Sequence, residues 1–170
     1  MRWLDELVTE DMGAVRFAEE LGPILRNRYA GFVFEIYGDP AGDDRAQTDE
    51  TTPFQILQGR GIPAIPAPSN DPVLRREAVA IALERMIDGK PGLLLSPKCK
   101  MLRKGMAGGY AYKRVQVVGE ERYHDKALKN RYSHVCEAAQ YMMLGAGEGH
   151  KVVGTHGGFK KIVYPKVRVI

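Results

Sequence analysis

Cysteine is scarce in this chain: Cys99 and Cys136 are the only two in 170 residues. They lie too far apart for a redox C-x-x-C pair and are too few for a zinc site or a disulfide scaffold. Long apolar runs are missing as well. Stretches such as Leu93 to Leu95 are the greasiest, far short of the ~18 residues that a membrane span needs. There is one Trp, no low-complexity tract and no internal repeat. The first twenty residues alternate acidic and apolar side chains, which fits neither a secretory signal nor a transit peptide. Secreted, membrane-spanning and zinc-finger classes are excluded on these grounds, and a reducing cytoplasm is the expected compartment.

What is present is the composition of one soluble domain of 18.9 kDa, 44% hydrophobic and 27% charged. The net charge of +4 hides an asymmetry. Residues 1–96 carry ten Lys and Arg against sixteen Asp and Glu, a balance of −6, whereas residues 97–170 carry fifteen against five, a balance of +10. An acidic half and a basic half can set a carboxylate cluster beside a phosphate-attracting surface, or can simply be two solvated faces.

Periodicity organises the chain as α/β. Residues 2–8 read as an edge strand. Ala14, Phe17, Ala18, Leu21, Ile24 and Leu25 draw one helical stripe, interrupted at Gly22 and Pro23 by a kink or a break between two short helices. Gly31 to Tyr37 is the strongest strand pattern, ending in Gly38-Asp39-Pro40. Residues 51–58 predict a short helix with Pro53 near its start. The proline-rich segment 62–68 suits an edge or an extended connection. Asp71 and Pro72 open a helix that runs to about Met86. Leu93 to Leu95 reads as a buried strand. Ser133 caps a last helix from His134 to about Leu144, with Val135, Ala138, Ala139 and Met142 inward. Residues 1–149 form one domain in this reading, and 150–170 a Gly-rich and basic tail.

Two carboxylates stand out. Asp39 follows the best strand, where open α/β sheets place ligand sites, and its small neighbours leave room for a metal ion or a phosphate. An Asp before Pro also commonly caps a turn. Glu137 lies in the first turns of the last helix, with His134 three residues earlier on the expected same side. An acid there also serves as a partner of the helix dipole. Together the two acids could hold Mg²⁺, which takes oxygen ligands and keeps several waters. Two such ions about 4 Å apart would support in-line phosphodiester hydrolysis.

Other signals are weak. Gly145 to Gly149 lacks the strand and helix of a dinucleotide fingerprint, and Gly89-Lys90 is followed by Pro91, so there is no P-loop and no nucleotide site is expected. Ser96 lacks a nucleophile elbow. His150 and His156 fall in the glycine-rich tail, and the two cysteines read as small packing residues.

Six short blocks in order resemble a known family. Tyr37-Gly-Asp-Pro-Ala-Gly-Asp-Asp-Arg-Ala-Gln-Thr-Asp-Glu-Thr-Thr52 resembles the segment after a central strand in the nuclease domain of phage terminase large subunits. Pro68 to Pro72 with Arg75-Arg76-Glu77, Gly92 to Cys99, Leu102 to Gly105 and Gly108 to Lys113 are similar to later blocks. Lys129 to Tyr141 resembles the closing helix, which usually reads S-H-x-x-D-A-L-x-Y. The resemblance spans roughly residues 3–149.

It implies a ribonuclease H-like mixed sheet flanked by helices, and a metal-dependent endonuclease that cuts concatemeric viral DNA in the bacterial host cytoplasm. It also implies Mg²⁺ or Mn²⁺, two ions in a complete site, with double-stranded DNA, portal protein and small terminase subunit as partners. Asp39 falls on the second metal-binding acid and Glu137 on the third, where Glu replaces the usual Asp and shifts the carboxylate by one methylene. His134 supports the metal ligands from behind. Arg45, Lys98, Arg103, Lys104, Lys113 and Arg114 are the expected phosphate contacts. The family's first catalytic Asp, its strand and the ATPase lie upstream of the segment that Trp3 to Leu7 resembles, and Asp5 and Glu6 are not assigned the vacant role. This departure implies a truncated form whose sheet is completed by residues 162–164 or 167–170 or by a second copy. It leaves open the alternative of a prophage remnant that only binds DNA or assembles.

Overall fold

A computed structural model describes residues 1–43, 51–115 and 122–148. Its elements run β1 (Arg2–Trp3), α1 (Ala14–Pro23), β2 (Ile36–Gly38), α2 (Pro53–Gly59), β3 (Ala64–Pro66), α3 (Pro72–Glu84), β4 (Met86–Ile87), β5 (Lys90–Pro91), β6 (Leu94–Leu95), α4 (Lys100–Lys104), β7 (Tyr112–Val115), β8 (Arg122–Ala127) and α5 (Ser133–Gly145). The chain is mixed α/β, as the alternation of periods predicts. Among the described residues the strands form four two-stranded ladders: β1 with β6 and β2 with β3 are parallel, β4 with β5 and β7 with β8 antiparallel.

Local chemistry explains the helix starts. Asp71 Oδ1 accepts from Val73 N–H at 2.7 Å and Leu74 N–H at 3.1 Å, with Pro72 in the first turn. Thr52 and Gln55 form a reciprocal capping box: Gln55 N–H donates to Thr52 Oγ1 at 3.2 Å, and Thr52 N–H to Gln55 Oε1 at 2.9 Å. Helix α4 is capped from far away, because Glu6 accepts from Met101 N–H at 2.7 Å and Leu102 N–H at 2.9 Å. Burial raises the Asp5 carboxyl, but the Arg28 guanidinium, Glu6 N–H and the Tyr29 hydroxyl outweigh it and hold the carboxyl below its ordinary value. Both acids near the start are therefore engaged in structural bonds.

Three expectations are corrected. The helix through Gly22 and Pro23 does not break there; it continues and loosens into a π-helical turn at Ile24–Arg28, where a missing proline N–H is tolerated. The strand pattern at 31–37 is paired only over Ile36–Gly38, while Phe32 and Val33 are 67% and 95% exposed. Its partner β3 follows Pro63 and ends in Pro66, neither of which can donate a ladder bond, and the pairing is three residues long. The last helix starts at Ser133 rather than being capped by it. Asn130 Oδ1 accepts from Tyr132 N–H at 2.8 Å, and Ser133 Oγ donates back to Asn130 O at 2.6 Å.

Two cores result. One gathers Trp3, Ala78, Val79, Ala82, Leu93, Cys99, Leu102, Cys136, Ala139, Met143 and Leu144 between β1, β6, α3, α4 and α5. The other is smaller: Ala18, Phe54, Ile62 and Ala64, flanked by Leu21, Leu25, Ile36 and Leu57. Burial pushes the Cys136 thiol up to about 11 and also raises that of Cys99, consistent with packing roles. No helix among the described residues is long and apolar enough to cross a membrane. The segment 149–170, with the tail and the strands expected to complete the sheet, lies outside the described residues.

Candidate functional site

The C-terminal end of β2 turns through a short 3₁₀ segment, Pro40–Asp43. Asp39 starts that turn. Its Oδ1 accepts from Ala41 N–H at 3.0 Å and its carbonyl from Gly42 N–H at 2.8 Å, so it does cap the turn, with its side chain exposed. The aromatic ring of Phe54 lies under this loop. A Cβ on Gly38 would stand 3.0 Å from Phe54 Cε1, and one on Gly42 3.2 Å from Cε2. Glycine on both sides of Asp39 thus lets the loop close onto the ring.

Helix α5 packs against α3, α4 and β2. Its buried side is Cys136, Glu137, Ala139, Gln140, Tyr141, Met143 and Leu144, whereas His134, Ala138 and Met142 are exposed. The inward stripe expected from spacing is therefore rotated, because a helix enclosed by several neighbours buries most of its circumference. His134 sits on the outer face and does not share the side of Glu137. The end of α5 meets β2 at Gly145, where a Cβ would collide with the ring of Tyr37.

Glu137 is 8% exposed. Lys129 Nζ lies 2.5 Å from both of its carboxylate oxygens, and the Tyr110 hydroxyl donates to Oε1 at 2.9 Å. One turn along α5, Tyr141 donates its hydroxyl to Asn70 Oδ1 at 2.6 Å. The Tyr141 hydroxyl is pushed far above its ordinary value by burial first, then by the Asp39 carboxylate and the more distant Glu137. Glu137 lies one turn before Tyr141 on α5, and Asp39 lies two residues beyond Tyr37, whose ring meets Gly145 one turn after Tyr141. Arg75 of α3 covers the Tyr141 ring, its guanidinium carbon 4.5 Å from the centroid.

Tyr110 gives a test of this burial. Its pKa is raised to about 12 by burial, then by its hydrogen bond to Glu137. A raised folded value means that the unfolded chain ionises first, near pH 10, so stability falls as pH rises from about 10 to about 12. Unfolding midpoints across that range should fall less steeply in Tyr110→Phe than in the unaltered chain; equal slopes would remove Tyr110 from the buried network.

Of the other expected site residues, Lys98, Arg103 and Lys104 are exposed around α4, and Lys113 and Arg114 are exposed on β7. Arg45 lies outside the described residues. Arg76 stacks on Tyr112, 5.2 Å from the ring centroid, and so ties α3 to β7. The participants unforeseen from sequence are Asn70, Arg75, Tyr110, Lys129 and Tyr141. One signal for Arg75 was available: it shares the buried stripe of α3 with Ala78, Val79 and Ala82, at the i, i+3, i+4, i+7 spacing of a core face.

The donor set for a divalent cation consists of hard carboxylate oxygens from Asp39 and Glu137, the kind that Mg²⁺ takes while retaining waters. Among the described residues no group of three His, Cys, Asp or Glu comes together. The Lys129 ammonium stands over both Glu137 oxygens. A separate cleft of about 460 Å³ is lined by Leu25, Tyr29, Phe32, Phe34, Ile62 and others, and includes neither acid. Comparisons with protein-family models, with curated proteins and with solved structures find no match to this chain.

Proposed function

We propose that this chain is a metal-dependent endonuclease domain of the phage terminase large-subunit type, with a ribonuclease H-like core, acting on double-stranded DNA. The observation that supports the reading is the packing of the strand that leads to Asp39 against the late helix that carries Glu137, at Tyr37 and Gly145. The resemblance of Tyr37 to Thr52 and of Lys129 to Tyr141 implies that these two elements carry the metal-binding acids.

In this reading Asp39 and Glu137 hold Mg²⁺ or Mn²⁺. The ion supplies Lewis-acid activation of water and of the scissile phosphate. Tyr110 orients the Glu137 carboxylate through its hydroxyl, and Lys129 balances the Glu137 charge until a divalent cation displaces it. With its side chain 67% exposed, Lys129 has solvent to move into. Lys98, Arg103, Lys104, Lys113 and Arg114, with Arg45, neutralise backbone phosphates and give salt-sensitive, sequence-independent affinity. Portal protein, the small terminase subunit and the bacterial cytoplasm belong to the same reading.

A second reading, a DNA-binding or assembly module without cleavage, is favoured by the absence of a third acid beside Asp39 and Glu137 among the described residues. Plasmid cleavage by the 170-residue chain with Mn²⁺ or Mg²⁺ separates the two. Nicking that disappears in Asp39→Ala and in Glu137→Ala is the expected result. Metal-dependent nicking that survives Asp39→Ala overturns the site, and DNA binding by a folded chain that never cuts selects the second reading.

A further inference from the structure

Arg75, on the covered face of α3, is 7% exposed. Its Nε is fully buried with no acceptor. Buried cations are normally paired and hydrogen-bonded, because removal from water otherwise disfavours the charged form. Arginine cannot escape by losing its proton. The Tyr141 ring, 4.5 Å from the guanidinium carbon, compensates for part of the lost hydration but offers no acceptor for the N–H groups.

The position of this side chain narrows what would satisfy it. It lies over Tyr141, one turn along α5 from Glu137, and its charge acts on the hydroxyls of Tyr110 and Tyr141. Next to it Arg76 stacks on Tyr112, and the neighbouring Lys113 and Arg114 of β7 are exposed. Lys129 offsets the charge of Glu137. A planar fork of donors is shaped for two oxygens of one tetrahedral or planar anion. The line of cations from α3 to β7 favours an anion that repeats along a chain.

We propose that Arg75 is a phosphate-binding residue, its guanidinium holding two oxygens of one phosphate group beside Tyr141. A nucleic-acid backbone is the source that the proposed nuclease activity supplies, and to that extent the assignment rests on that reading. Free phosphate offers the same chemistry.

The test uses the whole chain in EDTA, where no metal-dependent cutting can occur. The Arg75 side-chain Nε–H resonance is followed by ¹⁵N NMR during titration with inorganic phosphate and, separately, with a short DNA duplex. The expected result is a saturable shift with both, and an affinity for the duplex about tenfold weaker in Arg75→Lys, which keeps the charge and loses the fork. A shift with phosphate alone assigns the site to free phosphate. A resonance that neither probe moves, or an Arg75→Lys chain that binds both as the unaltered chain does, overturns the proposal. Because the unaltered chain alone gives the NMR result, a variant that fails to fold does not rescue it. Phosphate binding by a chain that never cuts plasmid would leave Arg75 assigned while the nuclease reading fails. Plasmid cutting with an unmoved resonance would do the reverse.

Discussion

Phe54→Ala should cost about 4 kcal/mol of stability, the range for removing a buried aromatic ring from a core that cannot fully collapse. Phe54 is 5% exposed and is the largest side chain of the smaller core, where the other buried members are Ala18, Ile62 and Ala64. Two of those three are alanines, so little neighbouring bulk can move into the space. For a chain of this length the loss corresponds to a fall in melting temperature of about 8–16 °C. Urea denaturation followed by circular dichroism measures it, and a loss below about 1 kcal/mol would show that the ring is not the centre of this core. The substitution also removes the surface on which Gly38 and Gly42 close, so the Asp39 turn loses its floor. Phe54→Leu refills most of the volume and should cost about 1.5 kcal/mol or less.

Gly145→Ala pits two effects of opposite sign against each other. Helix propensity alone favours Ala over Gly by up to about 1 kcal/mol. Overlap with the Tyr37 ring opposes it, because the new methyl would meet Cγ and both Cδ atoms at once. A ring held on β2 cannot rotate out of such an overlap without moving the strand, and overpacking of this kind costs about 3 kcal/mol. The steric term wins, and the melting temperature should drop by about 4–8 °C after the propensity gain is subtracted. Tyr37→Leu in the same chain should recover part of the loss, since contacting residues are not additive. A neutral or stabilised Gly145→Ala would mean that β2 and α5 do not meet at this glycine. The contact bears on the site as well, because Tyr37 and Gly145 join the strand that ends at Asp39 to the helix that carries Glu137.

Legibility in the sequence followed the range of the interactions. The start of α3 is readable because Asp71 and Pro72 act within one turn, and the short β6 because its apolar run stands between Gly92 and Pro97, although the expected burial holds for Leu93 and not for Leu94, which is 48% exposed. The 31–37 run was misjudged because strand length depends on the partner, and the prolines of β3 lie some thirty residues away. The buried side of α5 was misread because periodicity assumes one covered face, and this helix has neighbours on several. The strand that leads to Asp39 and the helix that carries Glu137 do pack together, at Tyr37 and Gly145. The surroundings of the two acids were not foreseen, since Lys129, Tyr110 and Arg75 acquire meaning only through contacts set by the packing of α3 on α5. The four separate ladders left no local mark at all.

The two cores differ in how much of the chain must exist before they can close. All four buried members of the smaller core lie between Ala18 and Ala64, so it can assemble while the ribosome is still at work. The larger core joins Trp3 to Leu144, and its first strand pairs with residues more than ninety positions away. At ordinary synthesis rates the roughly eighty residues between Ala64 and Leu144 take about 4–16 s to emerge. During that interval Trp3 and the apolar face of α3 have no helix α5 to cover them. A nascent chain of this protein therefore exposes a half-built core for seconds, and the helix that finally shields it is the one that brings Glu137 into place.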